Sequence, residues 1–399
     1  MRLAHTSDWH AGRVFKQVKR LPELEAALTA LADDLEHEKV DVLLHSGDVF
    51  DSGAPAPEAE RAVFSFFKRV GQAGIRSVVI AGNHDSAPRL DAWGSLAELV
   101  DVTVVSRPAP VDQGGVVHVP SRDGRETALV AALPFAPARW FVSALELAEG
   151  RVDEHTRLRV DGDVAARQGY AQSMADLATH LGSAFRADTV NVLMSHTHLV
   201  GAKYSGSERS VHLGEEWAAI PQSLPAAAQY VALGHIHRPQ RITSVIAPAE
   251  YAGSPLQMDF GESAEEKSWV LADVRPGQPA RLEHVPYRGG RRLERLRMDL
   301  PTLEREADRL RAADSLLWVT VPLDAPDPEL NSRVRRLLPN AVRVEAALPE
   351  ANAAAYATGA DRGAPPRDLF AAWCRRERGE PAAALLSAFD RLLHDCEHE

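Results

Sequence analysis

The chain has 399 residues, 45% of them hydrophobic and 25% charged, room for one large domain and one or two small ones. No apolar stretch reaches membrane-spanning length, and MRLAHTSDWH lacks the basic-then-apolar start of a secretory signal, so membrane and exported classes are not expected. Two cysteines, Cys374 and Cys396, offer no disulfide framework and suit a reducing cytoplasm. The 45 Lys and Arg stand against 56 Asp and Glu, a formal charge of −11. That balance weighs against a nucleic-acid binder without settling the substrate, because carboxylates that hold metal ions count toward it and local basic patches remain.

In chain order, short β-branched runs alternate with helical patterns, as in a layered α/β domain over 1–286. Strands are expected at Arg2–Thr6, Val42–His45, Ser77–Ala81, Val102–Val105, Val116–Val119, Ala128–Leu133, Val190–Ser195 and Tyr230–Leu233. Helices are expected at Leu21–Glu38, Glu58–Ala73 and Val164–Leu181, with exposed connections at Arg157–Gly162 and Gly201–Arg209. Beyond Pro286 the order is strand Arg291–Asp299, helix Thr302–Ala313, strand Leu316–Val321, helix Glu329–Leu338 and strand Ala341–Ala347. This βαβαβ unit carries no His or Asp cluster and reads as a small second domain, 287–349. In the last part, 350–399, an Ala/Gly/Pro-rich linker, Glu350–Pro366, precedes helical segments Asp368–Arg378 and Pro381–His394, divided by Gly379.

Sixteen histidines are many, and several cluster with Asp and Asn at strand ends. The clusters are Asp8-Trp9-His10, Gly47-Asp48-Val49-Phe50-Asp51, Gly82-Asn83-His84-Asp85, Ser195-His196-Thr197-His198 and Gly234-His235-Ile236-His237. In open α/β sheets the ligand crevice lies beyond the carboxyl ends of the strands, so segments distant in sequence can surround one point. Asp8 and His10, two apart, project to one side of an extended segment, and so do His235 and His237. Carboxylate and imidazole suit divalent ions of the Mn, Fe or Zn kind, a single Asp such as Asp48 can bridge two of them, and an Asn amide oxygen is a neutral ligand. Two ions about 3.5–4 Å apart can clamp the attacking and leaving oxygens of a phosphoryl displacement and lower the pKa of water. Singly, each motif has a bland reading: Asp-x-His is mostly incidental, and Gly-Asn-His-Asp suits an ordinary turn. Their order and shared strand-end placement carry the metal reading.

The ordered set resembles the calcineurin-like metallophosphoesterase superfamily. Within it the chain is similar to the nuclease subunits of bacterial DNA-repair complexes, through Ser7–His10 with Gly12-Arg13, Gly47–Gly53, Gly201-Ala202 with Ser205–Glu208, Ala232–His237 and Tyr251–Pro255. The likeness is specific through about Lys267. It implies a layered α/β/β/α phosphoesterase domain, a small α/β capping domain and a C-terminal helical segment. It also implies two divalent ions, Mn²⁺ with Mg²⁺ as the alternative, one held by Asp8, His10, Asp48 and His237, the other by Asp48, Asn83, His196 and His235. His84 matches a histidine that assists the transition state or protonates the leaving 3′ oxygen. Asp85 would orient His84. Asp51 stands where archaeal and eukaryotic relatives carry His and would support the ligands from behind. The implied activity is 3′-to-5′ exonuclease on duplex DNA and endonuclease on single strands or hairpins, by a homodimer working with a coiled-coil ATPase.

For DNA contact, Arg13 and Lys16 follow the first metal motif, and Ser254 lines the substrate channel by resemblance. Arg291 and Arg292 belong to an Arg-rich run, 288–297, for which a solvated face with ion pairs is the equal alternative. In the tail, Phe370, Trp373, Leu386, Phe389 and Leu393 form an apolar face that docks on the ATPase, the alternative being packing onto the parent domain. His198 reads as supporting or incidental, His5 and His45 as packed core groups. His37, His118, His155, His180, His212, His284, His394 and His398 read as surface residues. The competing functions are a phosphatase, nucleotidase or cyclic-nucleotide phosphodiesterase of the same superfamily, and a non-catalytic scaffold. The extra domain and apolar tail speak against the first, the full ligand set against the second.

Overall fold

A computed structural model describes residues 1–137, 164–205, 207–208, 219, 221, 224–349, 366–377 and 383–398. The connection Arg157–Gly162, parts of Gly201–Arg209, the linker from Glu350, Gly379, His155 and His212 lie outside the described residues, and the side chains of His394 and His398 do too. Two compact units emerge: Met1–Arg295 with Leu310–Trp318, and Leu296–Arg309 with Val319–Glu399. Among the described residues no helix is long and apolar enough to cross a membrane.

The first unit begins with β1 (Arg2–Thr6), the hairpin β2 (Val14–Phe15) and β3 (Val18–Lys19), α1 (Leu21–His37), β4 (Val42–His45) and α2 (Pro57–Gln72). Then come β5 (Arg76–Ile80), α3 (Ala87–Ala97), β6 (Val102–Val105), β7 (Val116–Pro120), β8 (Thr127–Leu133), α4 (Val164–Gly182), β9 (Val190–His196) and β10 (Tyr230–Gly234). The pair β11 (Gln240–Ile242) and β12 (Ala249–Tyr251) and the hairpin β13 (Ser268–Arg275) and β14 (Gln278–Pro286) complete it. Two six-stranded sheets result, ordered β14-β13-β1-β4-β5-β6 and β11-β12-β10-β9-β8-β7. The first is parallel from β1 through the edge strand β6 and antiparallel at its β13–β14 side, and the second has a parallel centre with antiparallel strands at both edges.

Side-chain alternation builds the layers. Along β4 and β5, Val42, Leu44, Val78 and Ile80 face the second sheet's Ala128, Val130, Val192 and Ala232 in one dry cluster. Leu43 and Val79 point the other way, onto Leu28, Leu31 and Val63 of α1 and α2. On the second sheet Leu129, Leu193 and Val231 pack on Met174 and Leu177 of α4. A parallel strand covered on both faces reads as a continuous apolar run, which is why these strands were expected from the sequence. The expected α/β/β/α layering is therefore present. The strands β11 to β14 were not expected: β11 and β12 have three residues each, and β14 is mostly exposed at an edge.

After β14 come β15 (Leu293–Arg297), α5 (Leu300–Ala312), β16 (Leu316–Pro322), α6 (Leu330–Leu337) and β17 (Ala341–Ala347), with a sheet ordered β15-β16-β17. In the second unit α7 (Pro366–Glu377) and α8 (Ala383–His398) pair through the stacked rings of Phe370 and Phe389, with centroids 4.2 Å apart.

Candidate metal centre

Strands β1, β4 and β5 of one sheet and β9 and β10 of the other end around a single cluster of carboxylate, imidazole and amide groups. Beyond the strands the chain turns sharply: Asp8, His10 and Asp48 adopt left-handed φ values of 53°, 46° and 54°. Such angles cost about 1–3 kcal/mol each and persist where surroundings over-determine them. Here the β1 and β4 loops stay zipped, Asp8 N to Gly47 O at 3.0 Å and His10 N to Asp48 O at 3.1 Å. Trp9, between Asp8 and His10, is buried against Phe66 and Phe67 and donates to Thr6 Oγ1 at 2.7 Å. Its burial turns its two neighbours toward the cluster, and buried Ile236 does the same for His235 and His237. Two glycines permit the close approach. A Cβ on Gly47, itself at φ +96°, would lie 2.4 Å from His196 Nδ1, and one on Gly82 would lie 2.1 Å from Asp48 Oδ1.

The polar atoms converge as acceptors. His10 Nδ1 faces the Asp51 carboxylate at 3.3 Å, which favours the proton on that nitrogen and turns the Nε2 lone pair toward His237 Nε2, 3.0 Å away. His196 Nδ1 donates to Ser46 O at 2.8 Å, leaving its Nε2 lone pair facing Asn83 Oδ1 at 3.0 Å. The same Asn83 oxygen lies 2.9 Å from His235 Nδ1. Asp48 Oδ2 stands between the two groups, 3.6 Å from His10 Nε2 and 3.5 Å from His196 Nε2. Asp8 accepts from His235 N, and its carboxylate has ligand-capable atoms within 4.8 Å of those of His10 and His237, and of Asp48 and His196. Facing lone pairs in a buried site call for a cation between them, and an oxygen/imidazole set without thiolate is the chemistry of a divalent metal. The residues fit two such positions that share Asp48.

Electrostatics follow the same layout. Burial raises the Asp8 carboxyl, whereas around Asp48 the interactions with the neighbouring His196, His10 and His84 rings overcome burial and hold it well below the usual range. Burial also raises Asp51, but the His10 hydrogen bond and the Arg13 guanidinium, 3.1 Å away, outweigh it and bring it down to about 2.

The residues assigned to catalysis are placed differently from expectation in one respect. Asp85, expected to orient the His84 ring, instead accepts from Gly82 N at 2.9 Å, Phe50 N at 3.0 Å and Val49 N at 3.1 Å, stapling the β4 and β5 loops together. Burial and then the Asp48 charge push its carboxyl up to about 7. The His84 ring is oriented by the backbone: Nδ1 donates to Asp51 O at 2.9 Å, and His84 N donates to Asp48 Oδ1 at 2.8 Å. Asp51 thus touches both histidines, His84 by its carbonyl and His10 by its carboxylate.

The other expected residues divide. Arg13 lies beside Asp51, and exposed Lys16 is in the β2–β3 turn, where Lys16 and Gln17 take φ of 47° and 69°. Ser254 is wholly buried and donates to Leu256 O at 2.8 Å, so it orders its own loop instead of facing solvent. Arg291 forms an ion pair with Glu23 at 2.7 Å, and Glu23 also takes Arg20 at 2.8 Å, whereas Arg292 is exposed. Arg291→Ala is expected to lower the melting temperature, read by thermal unfolding, because it leaves the buried Glu23 carboxylate short of a partner. His5 and His45 are fully buried as expected, His5 between Tyr230 Oη at 2.7 Å and Ser46 Oγ at 2.9 Å. His198 meets Tyr204 Oη at 2.7 Å. Unforeseen were Glu262 and Lys267, a buried pair 2.7 Å apart behind His237. Nothing in their sequence neighbourhood marks them.

The fold and donor cluster define a phosphoesterase of the metal-dependent kind. The calcineurin-like phosphoesterase family model matches residues 1–239. SbcD of the nuclease SbcCD from Bacillus subtilis (strain 168) is 30% identical over 356 residues, 88% of this chain and 87% of its own length. Its counterpart of the same name from Escherichia coli (strain K12) is 29% identical over 81% of this chain and 78% of its own. Among solved structures, a dimetal phosphatase from Danio rerio covers 72% of this chain and 98% of its own at 11% identity, with a TM-score of 0.39. The chain belongs to the calcineurin-like phosphoesterases and, within them, to the SbcD family.

Proposed function

We propose that this chain is the Mn²⁺-dependent nuclease component of a DNA repair and recombination complex. It would hydrolyse phosphodiesters as a 3′-to-5′ exonuclease on duplex DNA and an endonuclease on single strands or hairpins. The observation that carries this reading is the set of lone pairs converging from Asp8, His10, Asp48, Asn83, His196, His235 and His237, with His84 at its edge. Two divalent ions there would supply Lewis-acid stabilisation of the attacking and leaving oxygens. The chain supplies the rest. Asp48 spans both positions. Asp51 O holds the His84 ring through Nδ1 so that Nε2 remains for the substrate; with both ring nitrogens protonated, the Nε2 proton would go to the leaving 3′ oxygen and the ring would be left neutral with its proton on Nδ1. Arg13 and the Lys16 turn would take DNA phosphates beside the cluster, with exposed Arg292 as a further contact.

Partners follow from the SbcD relatives. An SbcC-type coiled-coil ATPase would dock on α7 and α8, where Trp373, Leu385 and Leu392 are 44%, 48% and 64% exposed. Phe370 and Phe389 stack on each other there, with Leu386 and Leu393 half-buried alongside, shaping the face from beneath. A homodimer through the phosphoesterase unit, with exposed Leu96 and Leu99 as its apolar surface, and a cytoplasmic location complete the reading.

The test is degradation of end-labelled duplex DNA, with Mn²⁺ and with chelator, alone and with an SbcC-type ATPase, beside nitrophenyl phosphates. Metal-dependent loss of DNA is the expected result. Rapid phosphoester hydrolysis without DNA cleavage in any arm would establish the phosphatase reading in its place.

A further inference from the structure

We infer that Ser207, Glu262 and Lys267 form a relay that fixes the ring tautomer of His237, and thereby loads the ion position His237 shares with His10. This inference rests on the two-metal reading above. Its basis is the direction of each hydrogen bond. Lys267 Nζ, buried, donates to Glu262 Oε2 at 2.7 Å, so the carboxylate is held as an acceptor. Met258 N donates to the same oxygen at 2.9 Å. The other oxygen, Oε1, takes the single hydroxyl proton of Ser207 in a short hydrogen bond. With its proton spent, Ser207 Oγ can only accept from His237 Nδ1, 2.6 Å away. His237 must then carry its proton on Nδ1, and Nε2 is left as a lone pair aimed at the cluster, 3.0 Å from His10 Nε2.

The backbone of His237 is gripped as well. Lys267 Nζ donates to His237 O at 2.8 Å, and His237 N donates to Glu208 Oε1 at 3.1 Å. One lysine therefore holds both the carboxylate that sets the tautomer and the main chain that carries the ring. Glu262 is fully buried, and burial of a carboxylate is costly unless every lone pair is used. A group of this kind behind a metal-facing imidazole fixes ring orientation and basicity. These are positioning residues: none touches the place where an ion or substrate would sit.

Two measurements on the full chain test the relay. Long-range ¹H–¹⁵N spectra of the metal-free protein, with His237 assigned through His237→Gln, are expected to show the Nδ1–H tautomer in wild type and its loss in Ser207→Ala. Mn²⁺ titration followed by electron paramagnetic resonance is expected to show two ions in wild type. In Ser207→Ala one of them should weaken by about 10–100-fold, with Ser207→Thr, which keeps the hydroxyl, close to wild type. Two ions of unchanged affinity in Ser207→Ala, or an Nε2–H tautomer in wild type, would overturn the relay and leave the two-metal reading standing. Wild type that binds no Mn²⁺ would remove the two-metal reading and the relay with it. Thermal melting of the metal-free variants separates unfolding from loss of one ion.

Discussion

Replacing His84 with alanine is expected to slow Mn²⁺-dependent DNA cleavage by about 10²–10⁴-fold, the span of general acid–base help, with both ions still bound. The physical ground is the division of labour in its loop. His84 N secures Asp48 Oδ1 through the main chain, which alanine preserves, whereas the ring is held by Nδ1 to Asp51 O and by an edge-on contact with the His10 ring. Removing the ring therefore takes away the proposed proton donor and leaves the metal-facing cluster standing. Single-turnover cleavage measured beside the metal content per chain checks this. His84 also lies within ligand distance of His10 and Asp48. A variant that loses an ion together with its activity would make His84 a ligand and overturn the acid assignment.

Asp48→Ala is expected to have the larger effect on metal content, both ions lost together and cleavage down by about 10³-fold or more, since ions supply several kcal/mol at about 1.4 kcal/mol per tenfold. Its Oδ2 stands 3.6 Å from His10 Nε2 on one side and 3.5 Å from His196 Nε2 on the other. Asn83→Ala should by contrast remove only the ion facing His196 and His235, because among the described residues the Asn83 oxygen reaches those two rings. Metal analysis of dialysed protein distinguishes the two variants. Retention of one tightly held ion in Asp48→Ala would show that Asp48 belongs to a single position and does not join the two.

These expectations draw on features of different visibility in the sequence. The metal motifs were legible because their geometry is local. In Asp8-Trp9-His10 and His235-Ile236-His237 an apolar residue sits between two polar ones, so burying Trp9 or Ile236 sends both neighbours the other way. The buried parallel strands were legible for a similar reason, as runs such as Val42–His45 covered on both faces. The hairpin β13–β14 was not, although β13 pairs with β1 in the middle of a sheet. Its partner β14 alternates polar and half-buried residues at an edge, and nothing local distinguishes that from a loop.

Charged residues show the limit most sharply. Arg291 has the composition of a phosphate contact and the position of a structural ion pair with Glu23, 268 residues away. Asp85 follows His84 directly yet serves the backbone of Val49, Phe50 and Gly82. Ser207 and Glu262, 55 positions apart, meet only because two loops fold behind His237. The sequence by itself determined the kinds of donor and their place at strand ends, because side-chain period and turn chemistry are set within a few residues. Only the tertiary structure decided which lone pairs face one another, which carbonyl holds His84 and which arginine is spent on a carboxylate. Those depend on sheet order and on contacts between segments far apart in the chain, and no local pattern encodes them.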